Sequence, residues 1–205
     1  MRSDLFNDLL ELTGEHLVLV LVSMALAIAL GVPAGILLTR HEGARRWMFG
    51  FASIMQTIPS LALFGFLIPI PFIGGIGKRT VIVALVLYAL LPILRNTFVG
   101  IANVDRAVCE SAIAMGMTDG QLLRQVQLPL AAQTILAGIR VATVTTIGTA
   151  TIAAAIGGGG LGVFIFRGLA SVDSTEILAG AVPAACMALL ADGGLGWIER
   201  KLSAA

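Results

Sequence analysis

Charge is scarce in this chain of 205 residues: charged residues make up 12% of it, while apolar residues make up 58%. Soluble domains carry roughly 25% charged and 45–50% apolar residues. Too few charges are present to cover a water-soluble globule of this size, and the mean hydropathy of +0.97 agrees with that. The composition therefore predicts an all-α membrane protein, in which lipid covers part of the surface.

Metal-ligand and nucleotide-binding motifs are missing as well. The two cysteines, Cys109 and Cys186, and the two histidines, His16 and His41, form no ligand spacing, which argues against a metal site or a disulfide framework. No G-x-x-x-x-G-K-[ST] sequence occurs, so the chain lacks a P-loop for ATP. We expect no enzyme activity, no metal and no cofactor bound by this chain.

Acidic residues are almost absent from the long apolar segments. Asp192, near the end of the last segment, is the exception, and it is placed where it can face water. Carriers driven by proton or ion relays use carboxylates inside the membrane. The sequence therefore disfavours a facilitator of that kind.

Long uncharged runs predict about five transmembrane helices, each of which needs roughly 20 residues. The first run is preceded mainly by acidic residues, so we interpret it as a retained span and not a cleaved signal peptide. In the third, Arg95 is expected to snorkel toward the membrane surface. The predicted spans are residues 17–38, 47–77 with a loop, 80–94 continuing toward 101, 141–156, and 177–191 with 193–197.

Proline and glycine mark the interruptions of these spans. Prolines fall inside four of them, at Pro33, Pro59, Pro92 and Pro183, and each is expected to bend its helix. Such bends are compatible with a pathway through the bundle and with packing alone. The glycine run 157–160 predicts the end of an apolar helix, and residues 163–174 a short element before the last span.

A polar island at residues 101–129 separates the third and fourth spans. Asp105 is placed to begin a short helix, and Gly116 to end it, because glycine tolerates positive φ. A second helix is predicted from Thr118 or Asp119 to about residue 127. Pro129 is expected to stop this helix and to redirect the chain into the fourth span.

The island contains the pattern E-x-A-x3-G-x9-V-x-L-P, from Glu110 to Pro129. This pattern resembles the cytoplasmic loop through which membrane subunits of bacterial ABC importers dock onto their ATPases, usually E-A-A-x3-G-x9-I-x-L-P. Ser111 and Val126 are the only departures. An amphipathic interfacial helix is the alternative interpretation. The resemblance assigns ATPase docking to Glu110, Ala112, Gly116, Val126, Leu128 and Pro129.

Further segments, residues 56–62, 91–97, 138–148 and 155–162, are similar to ABC importer permeases of the osmoprotectant branch, with Gly158 in place of the usual alanine. The resemblance implies a type I importer-like permease domain over residues 1–205, transporting glycine betaine, choline or carnitine. It also implies three partners: an ATPase dimer that binds ATP and Mg, a second permease copy or sister permease, and an extracytoplasmic solute-binding protein. No nucleic acid partner is expected.

The charge distribution agrees with a cytoplasmic loop in the bacterial inner membrane. Five spans then place the N-terminus outside and the C-terminus inside. Eight basic residues lie inside, with Arg140 at the boundary, against four outside, as the positive-inside rule requires. The inside set is Arg40, Arg45, Arg46, Arg95, Arg106, Arg124, Arg200 and Lys201, and the outside set is Arg2, Lys78, Arg79 and Arg167.

Polar residues within the spans are candidates for the translocation path. Threonine hydroxyls also bond their own helix backbone, so packing is the alternative interpretation. Aromatic residues are few, and Tyr88, Trp47 and Trp197 form no evident cage for a quaternary ammonium group. The path candidates are Gln56, Pro59, Ser60, Thr143, Thr145, Thr146 and Thr149.

Two other functions stay open at this point. A permease for methionine or another amino acid would share the loop and a similar Gly-Gly-Leu-Gly sequence. A membrane channel or scaffold that is not driven by ATP would leave the spacing of the loop unexplained.

Overall fold

The computed structural model describes the backbone of residues 2–203 and the side chains of residues 6–202. Helices are the only regular structure in that part of the chain, which confirms the all-α prediction. The α-helices are α1 Arg2–Arg40, α2 Glu42–Thr57, α3 Ser60–Leu67, α4 Lys78–Ala102, α5 Arg106–Ala114, α6 Asp119–Gln121, α7 Leu128–Ala150, α8 Gly162–Ser171 and α9 Ser174–Ser203. A π-helix, Leu122–Gln127, precedes α7, and a 3-10 helix, Thr151–Ile156, follows it.

Four continuous helical segments of the described chain are long and apolar enough to cross a membrane. A fifth exists only if α2 and α3, which meet at an angle of 108°, count as one broken span. The prediction of about five spans holds on that count. The 25 residues of α4 rise about 37 Å, which exceeds the roughly 30 Å of a hydrocarbon core. The four segments are Phe6–Arg40, Lys78–Ala102, Asp119–Ile156 and Ser174–Leu202.

The second predicted span is interrupted at Pro59. Ile58 takes an extended conformation, with φ −70° and ψ 127°, because a following proline ring disfavours the helical region. The remaining three span prolines, at positions 33, 92 and 183, lie inside continuous helices. A proline therefore separates two helices at only one of the four predicted sites.

The predicted stop at Pro129 is wrong, because the helical segment that contains the fourth span is continuous from Asp119 to Ile156. The Leu128 N–H donates to the Leu123 carbonyl, which widens the turn just before the proline. Pro129 then occupies the first turn of α7, where a residue without an N–H is tolerated. The second helix of the polar loop and the apolar span are consequently one continuous helical segment.

The core lies where α1, α4 and α7 pack against one another. Its largest fully buried side chains include Leu19 of α1, Leu85 and Ile93 of α4, and Ile147 of α7. Phe64 of the short helix α3 is also fully buried in this cluster. The broken span is therefore anchored in the bundle by its second half.

Large apolar side chains cover the outer surface of the bundle. Leu189 and Leu190 of α9 are 72% and 77% exposed, and Val18, Leu21 and Leu30 of α1 are each more than half exposed. A soluble monomer rarely exposes so much contiguous apolar surface. These faces require lipid or another apolar partner.

Polar contacts tie α1 to α4 and to the glycine run at the end of the bundle opposite residues 101–129. Glu15 accepts from Lys78 Nζ at 2.7 Å and from the Gly160 N–H at 3.2 Å. The buried His16 donates from Nε2 to the Ile147 carbonyl at 3.1 Å. These bonds hold the turn after the 3-10 helix close to two neighbouring helices.

The glycine run ends an apolar helix, as predicted. Gly157 caps the 3-10 helix in the left-handed region, with φ 72°. The short element expected over residues 163–174 is α8, Gly162–Ser171, which packs against α9.

An ion cluster joins α7 to α9. Arg140 binds Asp192 through two bonds, Nε to Oδ1 at 2.6 Å and Nη2 to Oδ2 at 2.7 Å. Its Nη1 also donates to Glu199 Oε2 at 3.1 Å. A bidentate pair of this kind fixes orientation as well as distance. Asp192 thus joins α9 to α7 through Arg140.

Replacing Asp192 with asparagine is expected to lower the midpoint of thermal unfolding in detergent by a few degrees. The change removes the charge from the bidentate pair, and added salt should narrow the difference from wild type because the cluster is partly exposed. Glu199→Gln, which removes the charge from a single longer contact, should shift the midpoint less. Equal midpoints for wild type and Asp192→Asn would contradict this role.

Candidate docking and translocation sites

The predicted docking loop, residues 101–129, begins with α5 as expected. The carboxylate of Asp105 accepts from the Ala107 N–H at 2.9 Å and so caps the helix. Glu110 pairs with Arg106 one turn earlier at 2.8 Å, and both side chains are largely in solvent, at 64% and 92% exposure. The Glu110 carboxylate is therefore open to a basic partner, since an exposed pair is easily exchanged.

Gly116 forms the sharp turn that the sequence predicts. Its φ is +87°, in the region that favours glycine. The Gly116 N–H donates to the Ile113 carbonyl at 2.9 Å, and the Met117 N–H donates to the Ala112 carbonyl at 3.2 Å. This pair of bonds is a Schellman motif, which satisfies the last carbonyls of α5.

The second helix of the loop begins at Thr118, as predicted. The Thr118 hydroxyl accepts from the Gln121 N–H, and the Gln121 side chain accepts from the Thr118 N–H at 2.8 Å. This reciprocal pair is a capping box. Both helix starts and the turn between them are thus fixed by bonds between residues no more than five positions apart.

The two helices of the loop pack on each other and continue into the bundle. Ala112 is 2% exposed and Leu122 is 9% exposed, so α5 lies close against the π-helical turn. Val126 and Leu128 are half-buried, while Pro129 is exposed at the start of α7. A compact projection joined without a break to a spanning helix is suited to passing displacement from a docked partner to the membrane domain.

A cleft of about 660 Å³ separates the loop from the ends of α1, α2 and α4. Arg40, Arg45 and Arg106 line it together with Asp119. A long bond joins α1 to the loop, from Arg40 Nη2 to the Asp119 carbonyl at 3.4 Å. The described loop is therefore held mainly by its continuity with α4 and α7.

The path candidates around the broken span cluster at Tyr88 of α4. Gln56 donates from Nε2 to the Tyr88 carbonyl at 3.1 Å, and the Tyr88 hydroxyl donates to the Ile58 carbonyl. Gln56 and Pro59 are exposed and Ser60 is half-buried at the start of α3. Tyr88 thus satisfies the backbone where the proline interrupts the helix, a role that the sequence did not indicate.

The threonine candidates on α7 use their hydroxyls within the protein. Thr143 donates to the Ile139 carbonyl at 2.8 Å, Thr145 to Val141, and Thr149 to Thr145, each one turn back in the same helix. Thr146 points away from them: it is buried and contacts Met24 Sδ of α1 at 3.5 Å. These bonds favour the interpretation that the threonines stabilise helix and packing. Thr145 lies on an exposed face of α7, whereas Thr146 lies on the face that packs against α1.

Sequence reasoning missed the ion cluster on Arg140 and the π-helical turn. The partners of Arg140 lie more than 50 positions away in the sequence, so no local pattern predicts these ion pairs. Within residues 6–202, no three His, Cys, Asp or Glu side chains are grouped closely enough to hold a metal ion.

The arrangement of these helices matches solved membrane subunits of ABC importers. An inward-facing methionine ABC transporter, MetNI, contains a chain that aligns with a TM-score of 0.88 at 24% identity, over 98% of this chain and 99% of that one. A crystal structure of an amino acid ABC transporter with histidines aligns with a TM-score of 0.81 at 17% identity, over 98% and 96%. The fold is therefore that of a type I ABC importer permease.

The family follows from the sequence comparison. The chain belongs to the family described as binding-protein-dependent transport system inner membrane component, whose model matches residues 27–204. It is accordingly a multi-pass protein of the bacterial inner membrane and a transport subunit, not itself an enzyme.

Relatives with assigned substrates are close in sequence. The carnitine transport permease protein OpuCB of Listeria monocytogenes is 46% identical over 96% of this chain and 89% of its own. The glycine betaine/carnitine/choline transport system permease protein OpuCB of Bacillus subtilis is 45% identical over the same shares. The osmoprotectant import permease protein OsmW of Salmonella typhimurium is 41% identical over 95% and 89%.

Proposed function

We propose that this chain is the permease subunit of an ATP-driven importer for osmoprotectants such as glycine betaine, carnitine or choline. The observation that carries the proposal is the identity of 45–46% over 96% of the chain with permeases named for these solutes. The methionine importer resembles this chain in fold at 24% identity, which gives no support for its substrate.

The proposed assembly contains two permeases, either two copies of this chain or this chain with a sister permease. Two ATPase subunits bind ATP and Mg on the cytoplasmic side and contact residues 101–129. An extracytoplasmic binding protein delivers the solute. The N-terminus then lies outside and the C-terminus in the cytoplasm, in agreement with the excess of basic residues on the inner side.

In this assembly the chain converts a displacement of the ATPase into a switch of the solute pathway between outward-open and inward-open states. The exposed Glu110 and the turn at Gly116 meet the ATPase, and the continuous segment Asp119–Ile156 transmits its movement into the bundle. The chain itself forms and breaks no covalent bond. Its contribution is the difference in free energy between outward- and inward-open states, which ATP binding and hydrolysis shift.

The test is transport by the purified assembly. The tagged chain is isolated from its native host with its co-purifying subunits, reconstituted into liposomes and supplied with ATP, Mg and the binding protein. We expect ATP-dependent accumulation of glycine betaine, carnitine or choline, and none without ATP. Accumulation of methionine alone, or equilibration that needs no ATP, would refute the proposal.

A further inference from the structure

Arg95 is a charged side chain on the surface of a membrane-spanning helix. It is exposed, and it forms no ion pair with a carboxylate among the described side chains, residues 6–202. It lies seven residues before the end of α4 at Ala102, which is about 10 Å of helix rise. Arg95 therefore lies about two turns inside the helix and not in its last turn.

Snorkelling to the inner surface, which the sequence favoured for Arg95, is opposed by the direction of α4. Side chains on a helix tilt toward its N-terminus. The N-terminus of α4, at Lys78, is at the end of the bundle opposite the docking loop, next to Glu15. The side chain of Arg95 therefore starts toward the middle of the membrane, where a charge facing lipid is costly.

The face of α4 that carries Arg95 is open. At about 100° per residue, Tyr88, Arg95 and Val99 lie within about 40° of one another. Tyr88 is half-buried, while Arg95 and Val99 are exposed. Arg95 and Val99, one turn apart, therefore form an uncovered strip of α4, which ends at Tyr88, where Gln56 and Ile58 of the break between α2 and α3 make contact.

The sectors on both sides of this strip are covered. On one side Asn96 faces α7, since a Cβ built on Gly138 would lie 2.4 Å from the Asn96 Cβ. On the other side Phe98 stacks edge-on with Phe49 of α2, with ring centroids 5.5 Å apart. The strip is thus the floor of a groove between α2 and α7.

A second polar side chain lies further along α4, about two turns from Arg95. Gln56 is exposed and reaches the Tyr88 carbonyl from the break between α2 and α3. A guanidinium and an exposed amide in a groove within a membrane-spanning bundle indicate an aqueous path, because charged residues inside spans face water-filled cavities or partners. A guanidinium binds carboxylates and phosphates through paired hydrogen bonds, and of these two groups the proposed solutes contain only a carboxylate.

We propose that Arg95 binds the carboxylate of a zwitterionic solute during its passage, and so favours glycine betaine and carnitine over choline. Glycine betaine and carnitine carry both a quaternary ammonium and a carboxylate, whereas choline has no carboxylate. The proposal rests on the proposed function, because it assigns a substrate contact within that transport path. The separate binding protein selects solutes first, and Arg95 acts on those that it delivers.

The experiment compares uptake of labelled carnitine and choline by the reconstituted importer with wild-type chain, Arg95→Gln, Arg95→Lys and Arg79→Gln. Arg79 is at the other end of the same helix and serves as the matched control. Arg95→Gln should lower carnitine uptake by roughly 10- to 100-fold, the effect of losing one bond to a charged group, and leave choline uptake unchanged. Arg95→Lys should retain part of carnitine uptake, and Arg79→Gln all of it.

Each other outcome has a definite meaning. Equal loss of carnitine and choline uptake, or loss of the assembly on purification, would assign Arg95 to packing or coupling and overturn the proposal. If the wild type carries no choline, the comparison of Arg95→Lys with Arg95→Gln is decisive. Equal uptake of carnitine by these two variants overturns the proposal, and uptake retained by Arg95→Lys alone supports it. Failure of the wild type to carry any of these solutes refutes the proposed function instead.

Discussion

Valine in place of Gly116 is expected to lower recovery of the ATPase with this chain several-fold while leaving the membrane domain folded. Gly116 has a φ of +87°, which a β-branched residue adopts only with strain. A Cβ at this position would meet no atom within 4 Å, so the effect comes from the backbone alone. The turn must rearrange, and the two helices of the docking loop then lose their relative orientation.

Asparagine at the same position is the matched control, because it tolerates left-handed backbone far better than valine does. We expect Gly116→Asn to recover most of the ATPase and Gly116→Val roughly 5- to 30-fold less than wild type, since a strain of about 1–2 kcal/mol corresponds to a conformational shift of that size. The measurement is the ratio of ATPase to tagged chain after purification in mild detergent. Equal ratios for the two variants would contradict a role of the turn in docking.

The docking loop was predictable in detail because its structure is decided locally. Asp105, Gly116 and Thr118 each act on backbone groups no more than five residues away. Sequence pattern and structure therefore agree on both helix starts and on the turn. The role of these residues toward an ATPase stays a prediction, since it depends on a surface outside this chain.

The helix stop predicted at Pro129 was wrong, and the prolines of the spans differ in their effect on the helix. Pro59 separates two helices whereas Pro92 does not, because at the first site Gln56 and Tyr88 hold the break, while at the second α4 continues between its neighbours. Pro129 does not stop its helix because a π-helical turn precedes it. A proline in the sequence removes a hydrogen bond, but the surrounding bundle determines whether the helix ends.

Polar residues of the spans were the least predictable part of the candidate site. Neighbouring positions on α7 face different surroundings, with Thr145 exposed and Thr146 buried against α1. Arg95 was expected to snorkel, but its place on an open strip of α4 becomes visible only when the adjacent helices are positioned. Helix periodicity gives the angle between two residues around the helix axis. Which face of the helix is covered by its neighbours depends on how the helices pack.

Alanine in place of Gly138 is expected to destabilise the chain by about 1–3 kcal/mol, as overpacking of a filled core does. A Cβ on Gly138 would lie 2.4 Å from the Asn96 Cβ and 2.8 Å from the Pro92 carbonyl oxygen. The carbonyl belongs to the backbone of α4 and cannot turn aside. The two helices must therefore separate, and Arg95 of the same helix would shift with α4.

Gly148 lies on α7, as Gly138 does, and its replacement with alanine is the control, for which we expect no loss of stability. A Cβ at Gly148 would meet no atom within 4 Å, so alanine there only gains helix propensity, about 0.5–1 kcal/mol. Thermal unfolding of the isolated chain in detergent should show a midpoint several degrees lower for Gly138→Ala and unchanged or slightly higher for Gly148→Ala. Equal midpoints for the two variants would mean that α4 and α7 are not in close contact at Gly138. The groove that contains Arg95 would then lack its boundary on the α7 side.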